Sequence, residues 1–217
     1  WKRARRTKSL EHVASTLAEM AGKRRRCMFC EDSRGTDIEH FRPRARYPEK
    51  TFAWANLLFA CSGCNRLKGH RFDLDPAGHP LLIDPTSEDP WDYLFFDSAT
   101  GYLTARYDTE GIPSAKGKHT TAPEVLPLNI EAVTEGRCRA RRNLRRAVER
   151  FLEWRAAGAS ESAATEELLA AVGDNDDYGL AQWFFCREGR EEKPFSDLQA
   201  KHPRVWGTVA RVVDTGP

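Results

Sequence analysis

Two Cys-x-x-Cys pairs, Cys27 with Cys30 and Cys61 with Cys64, constrain this chain more than any other feature of its sequence. Two-residue spacing lets both sulfurs of a pair reach one ion from a tight turn. In a reducing compartment such pairs serve metal binding more often than disulfide formation. The thirty residues between the pairs exceed the usual zinc-ribbon loop and leave room for further structure. Positions 26–75 are dense in Cys, His, Asn, Gly and Arg and show little long periodic pattern. So short a unit cannot bury enough apolar surface to offset chain entropy, and structural Zn²⁺ held by the four cysteines would supply the missing stabilisation. Four thiolates close a tetrahedral site and leave no place for water, so any hydrolysis in this module needs a second metal. Cys138 and Cys186 stand alone and read as ordinary semi-buried thiols.

The chain has 217 residues, 40% of them hydrophobic, enough for one core or one core with a small appended module. No apolar run approaches the roughly 18 to 20 residues of a membrane span, and the first residues are basic rather than signal-like. A soluble, cytoplasmic protein without membrane attachment is expected. Because the sequence opens on Trp1 rather than Met, some native N-terminal residues are expected to be absent from it. The net charge of +2 excludes a polycation that coats nucleic acid along its whole length. Positions 23–71 nevertheless hold twelve Lys or Arg against five Asp or Glu, while acidic residues gather at 161–177, which points to a basic working face.

Three regions are expected. Positions 1–22 carry a supporting helix whose apolar residues Leu10, Val13, Leu17 and Met20 recur at helical steps and which ends near Gly22. Positions 23–75 form the metal-organised module. Positions 76–217 open with Pro76, Pro80, Pro85 and Pro90, which exclude helix and leave 81–83 as a short buried strand. A β-hairpin follows, with arms at 93–96 and 102–107 around a turn at 98–101. The rest is mostly helical: an Arg-rich helix over 130–157 with Leu144, Val148, Phe151 and Leu152 on one stripe and its arginines outward, helices over 160–172 and 178–186, and a final amphipathic piece over 195–213. The fold class is α+β.

The order of residues in the module carries the chemistry. After the first Cys pair come Ile38-Glu39-His40-Phe41-Arg42-Pro43, then Trp54-Ala55-Asn56-Leu57-Leu58, then Cys61-Ser62-Gly63-Cys64-Asn65-Arg66-Leu67-Lys68-Gly69. This series resembles the HNH, or ββα-metal, endonuclease motif: a Cys pair, an acid-His dipeptide, an Asn-Leu, and a second Cys pair running into Asn-x-x-Lys-Gly. The resemblance implies a zinc-stabilised ββα-metal module in which His40 is the general base for the attacking water, a task that suits neutral imidazole. Glu39 and Asn65 would hold a catalytic Mg²⁺ or Mn²⁺ through oxygen, and Asn56 would hold the His-bearing strand in register. Neighbouring residues on a strand point to opposite faces, so Glu39 and His40 divide these tasks only if the strand twists or ends there. The acid is Glu rather than the commoner Asp, and Asn65 stands where His is commoner. His70 is near enough in sequence to assist Asn65, although an exposed histidine at a helix end is its plainer reading. Arg42, Arg44, Arg46, Arg66, Lys68 and Arg71 flank the site and are candidate phosphate contacts.

Further segments extend the likeness: Leu82-Ile83-Asp84-Pro85 with Glu88-Asp89-Pro90, and Leu126-Pro127-Leu128-Asn129 before the Arg-rich helix. Together they resemble the HNH effectors of Septu-type anti-phage systems and certain retrons. That resemblance implies a nuclease acting on DNA, or on structured RNA, beside an SMC/ABC-like ATPase subunit. The C-terminal helical region, with its Arg-rich helix and its distance from the motif, is the expected docking surface. The resemblance covers roughly Cys27 to Arg146 and does not extend to the tail after Trp154. The competing expectation is a zinc-stabilised nucleic-acid-binding or adaptor subunit whose hydrolytic site is vestigial. The intact set of Glu39, His40, Asn56 and Asn65 favours the enzyme.

Overall fold

The computed structural model describes residues 7–214, so the basic positions 1–6 lie outside the described residues. It is a mixed α+β structure with two small sheets. The described residues divide into two compact units, one comprising those up to Phe95 with Tyr102–Val133, the other Phe96–Gly101 with those from Thr134 to Asp214. No helix among the described residues is long and apolar enough to cross a membrane.

In the first unit, helix α1 (Lys8–Met20) buries Leu10, Leu17 and Ala18. The chain leaves it through Gly22, which adopts φ +76°, as the sequence expects of a helix ending there. Strands β1 (Asp37–His40) and β2 (Leu57–Ala60) pair antiparallel, with Glu39 opposite Leu58 and His40 opposite Leu57. Helix α2 (Ser62–Lys68) follows directly. All four residues of β2 are buried, and its alternation divides them between two clusters. Leu57 and Phe59 pack with Leu17 and Ala18 of α1, whereas Leu58 and Ala60 join the four module cysteines, Phe41, Phe72 and Leu82.

The segment 81–83, expected as a strand, is not one. Leu82 and Ile83 are buried, but the backbone is satisfied piecemeal: Leu81 N–H donates to the Asp73 carbonyl, and Ile83 N–H to Thr120 Oγ1. With prolines on both sides, no neighbouring strand can complete a ladder. The hairpin arms form as expected, as β3 (Leu94–Phe96) and β4 (Leu103–Ala105). Helix α3 (Ala115–Thr121) was not expected. It is short, and its N-terminus is fixed by Ser114 Oγ, which accepts from Gly117 N–H.

From Thr134 on, the second unit is helical: it holds all but the first three residues of α4 (Glu131–Ala156), with α5 (Glu161–Asn175), α6 (Leu180–Cys186), α7 (Phe195–Lys201) and α8 (Pro203–Val213). Leu144, Val148 and Phe151 form the buried stripe of α4. One arginine of α4 does not face outward: Arg137 is buried, donates to the Gly101 carbonyl at 2.8 Å and lies over the Tyr178 ring. The expected single piece over 195–213 is two helices, because Pro203 has no N–H to continue α7 and instead sits in the first turn of α8.

Candidate functional site

The first Cys pair sits on a small loop closed by an isolated bridge between Arg26 and Arg34. Arg26 holds that loop from inside by donating to the carbonyls of Glu31 and Asp32. Gly35 is required at its exit, since a Cβ there would collide with the Phe59 ring. The second pair opens α2, where Cys61 is the N-cap and its sulfur accepts from Cys64 N–H at 3.4 Å.

These elements bring the four sulfurs within 4.8 Å of one another, all buried and none in a disulfide. Cys30 and Cys61 sulfurs lie 4.0 Å apart, near the roughly 3.8 Å edge of a tetrahedron with Zn–S bonds of about 2.3 Å. Crowding splits the thiol acidities. Cys27 and Cys64 are driven above the usual range, chiefly by their bonds to Cys30 and to Cys27 respectively, while Cys30 and Cys61 are driven below it, in both cases chiefly by Cys27. Thiols that must share protons in a buried pocket are relieved of that conflict by a dication. Soft donors, tetrahedral spacing and burial therefore fit zinc, and this is a group that could hold it. Among the described His, Cys, Asp and Glu residues, no other set of three or more converges in this way.

The acid-His dipeptide closes β1, and its two side chains go to opposite faces. Glu39 turns toward α2. There Lys68, completely out of solvent, places its ammonium 2.7 Å from Glu39 Oε1 and 2.7 Å from the His40 carbonyl. Burial pushes Glu39 up and Lys68 down, while their mutual attraction acts the other way on each. His40 turns to the other side, toward the segment between β1 and β2, where its Nε2 meets the Thr51 carbonyl at 3.0 Å. A carbonyl only accepts, so Nε2 carries the proton and the basic nitrogen is Nδ1. Burial lowers the imidazole below its ordinary range, and Arg44 and Lys68 act in the same direction. His40 is neutral at pH 7.

Asn56 is buried and clasps the same segment. Its Oδ1 accepts from Arg42 N–H at 2.7 Å, and its Nδ2 donates to the Arg42 and Lys50 carbonyls, each at 3.1 Å. The side chain thus ties both ends of the loop that leaves β1 and returns to β2. Asn65 donates through Nδ2 to Asp37 Oδ2 at 2.9 Å. Asp37 is not among the residues that the motif marks, although strand alternation puts it on the Glu39 face. Helical period also orders α2, since Cys61, Cys64, Asn65 and Lys68 recur at i, i+3, i+4 and i+7. Their spacing was the overlooked signal for Lys68.

Of the expected phosphate contacts, Arg44, Arg46, Arg66 and Arg71 are exposed and Arg42 is half-buried. Arg42 lies over the Phe72 and Tyr47 rings, Arg46 donates to the Phe72 carbonyl, and Arg66 and Arg71 donate to the Ser62 and Leu67 carbonyls. Lys68 departs from this set: its ammonium is buried against Glu39 and presents nothing to a phosphate in solvent. His70 is exposed at the end of α2.

Comparison with known proteins finds two relatives of the chain. The chain is 32% identical over 82 residues to the Septu protein PtuB of Bacillus thuringiensis, a match covering 35% of this chain and 31% of that protein. It is 33% identical over 112 residues to the protein ea31 of Escherichia phage lambda, covering 48% of this chain and 38% of ea31. The chain thus spans about a third of the length of the curated relatives it matches. No family model and no solved structure matches it.

Proposed function

We propose that this chain is a metal-dependent HNH endonuclease that hydrolyses phosphodiester bonds in nucleic acid, DNA foremost, as the nuclease effector of a bacterial anti-phage system. The observation that carries the reading is the state of His40: buried, neutral, protonated at Nε2 by its contact with Thr51, and held at the end of a strand whose return loop is clasped by Asn56. A basic Nδ1 in a fixed orientation is what abstraction of a proton from water requires. The likeness to PtuB supports a place in a Septu-type defence complex; in this reading the chain works in the cytoplasm beside an SMC/ABC-like ATPase, which meets the C-terminal helical region including the Arg-rich α4. In this reading residues 23–75 are the nuclease module, residues 1–22 prop it, and residues 76–217 add the hairpin and helical region.

The oxygen donors on the α2-facing side of β1 suit a hard cation in kind: the Glu39 carboxylate, the Asn65 amide oxygen and, beside them, the Asp37 carboxylate. These donors lie on the face of β1 opposite the His40 side chain, so base and cation meet at one phosphate only past the end of the strand, and Glu39 takes part only where Lys68 yields its contact. Bound Mg²⁺ or Mn²⁺ would supply positive charge for the scissile phosphate and the departing 3′ oxygen. The chain's own contributions are the Nδ1 base of His40, the loop clasp of Asn56, and Arg44, Arg46, Arg66 and Arg71 to neutralise phosphates around the site.

The buried Lys68–Glu39 pair favours a second reading, in which the hydrolytic site is vestigial and the chain is a zinc-stabilised nucleic-acid-binding adaptor. Plasmid incubated with Mg²⁺ or Mn²⁺, the protein and its His40→Ala variant, with and without the proposed ATPase subunit, separates the two. Nicking lost on His40→Ala supports the enzyme. Indistinguishable products from the two proteins in both settings support the adaptor.

A further inference from the structure

The segment joining β1 to β2 carries two large aromatic side chains in solvent, Phe52 at 65% and Trp54 at 47% exposure. They stand two residues apart, among the exposed cations Arg44, Arg46 and Lys50, with Glu49 as the one exposed acid. The segment is well braced. Asn56 donates to the Lys50 carbonyl, Thr51 bonds Pro48 through both its N–H and its hydroxyl, and Ala53 and Asn56 N–H groups donate to the Lys50 and Ala53 carbonyls. Phe52 and Trp54 are therefore displayed on a fixed frame, which removes the ordering cost that a mobile loop would incur on binding. The residue before Phe52 is Thr51, whose carbonyl orients His40.

We infer that this loop is a stacking platform for unpaired nucleobases, so that the substrate class of the site is single-stranded nucleic acid. The inference rests on the nuclease reading above and narrows it. Rigid aromatics set among cations are the combination that binds single strands, the cations following the backbone and the rings taking the base faces. Paired bases in a duplex hide those faces, so only unpaired ones offer both partners at once. The position next to His40 puts the stacked nucleotides beside the bond to be cut. A protein partner seated on the same rings would not require the cations Arg44, Arg46 and Lys50 around them, whereas a polyanionic strand does.

The test is fluorescence anisotropy without added divalent ion, using labelled strands of about 15 nucleotides, near the site size of one such binding face. The arms are single-stranded DNA, RNA of the same sequence, the DNA duplex, and a DNA strand with abasic sugars throughout. The base-bearing single strand should bind more tightly than the abasic strand and the duplex, and the DNA and RNA arms name the preferred sugar. Phe52→Ala and Trp54→Ala should each weaken that binding by about 5- to 150-fold, the span expected for loss of one stacked base, and leave abasic binding unchanged. Phe52→Trp should retain affinity. Phe52→Leu keeps apolar bulk without a π face, so loss of affinity at unchanged Tm supports stacking. Equal affinity for abasic and base-bearing strands, preference for duplex, or full affinity in Phe52→Leu overturns the proposal. Base-indifferent binding with His40-dependent hydrolysis intact removes this inference alone, whereas base-dependent binding with no hydrolysis removes the nuclease reading alone.

Discussion

The ammonium of Lys68, with no exposure to solvent, bridges the Glu39 carboxylate and the His40 carbonyl at 2.7 Å each. One side chain from α2 therefore fixes both residues of the acid-His dipeptide, one through its side chain and the other through its backbone. A buried charge is tolerated only with such pairing, and removing one partner strands the other.

Lys68→Met should destabilise the protein by about 3–5 kcal/mol, because Glu39 is left buried without a counter-charge. Adding Glu39→Gln to that variant should recover part of the loss. Urea denaturation of the single and double variants measures both. A loss under about 1 kcal/mol would mean the pair is solvated in solution and does not hold the dipeptide.

Elemental analysis should find close to one zinc per chain, and Cys61→Ser should lower both the zinc content and the solubility of the protein. The second effect follows because the sulfurs sit inside the cluster formed by Phe41, Leu58, Phe72 and Leu82. Carefully prepared protein without zinc would remove the scaffold role.

Burial holds His40 below its ordinary value of 6.5, so on acidification the unfolded chain takes up this proton before the folded chain does. The stability owed to neutral His40 is complete above pH 6.5 and is lost as pH falls from there through the lower folded value. Denaturation midpoints between pH 7 and 5 should therefore fall less steeply in His40→Gln than in the parent. If His40 is the base, the acid limb of the nicking rate lies below pH 6.5 as well. An acid limb above that value would assign the base to another group.

Asn56→Ala removes three hydrogen bonds and leaves the Arg42 N–H and two carbonyls to find other partners. A cost of about 2–4 kcal/mol is expected, given about 1 kcal/mol for each bond and more where a group stays buried. Limited proteolysis should then cut within 41–56. A variant that resists cleavage there would show that the clasp is redundant.

Much of the first unit was legible because its signals are local. The Cys spacing gives the ion-binding group, the Leu10 to Met20 period gives α1, and strand alternation separates Glu39 from His40. The partners of Glu39 and Asn65 were not legible in the same way, because the contacts of Lys68 and Asp37 join β1 to α2 across 29 and 28 positions. The charge of Lys68 suggests a phosphate contact, yet its helical phase with Cys61 and Cys64 turns it inward. The same limit applies at 81–83, where apolar residues are buried without a pairing strand, and at Arg137, whose charge suggests an outward side chain although it falls in phase with the buried Val133, Ala140 and Leu144. In each case composition set the expectation and a distant neighbour decided the outcome.

Strand β2 is a partition with Leu57 and Phe59 on one side and Leu58 and Ala60 on the other, the first pair against α1 and the second against the cysteine cluster. Because one four-residue wall serves both compartments, stripping the ion loosens the floor on which the N-terminal helix lies. Amide protons of α1, remote from any sulfur ligand in sequence, would then exchange in step with metal occupancy and make that helix a built-in gauge of loading.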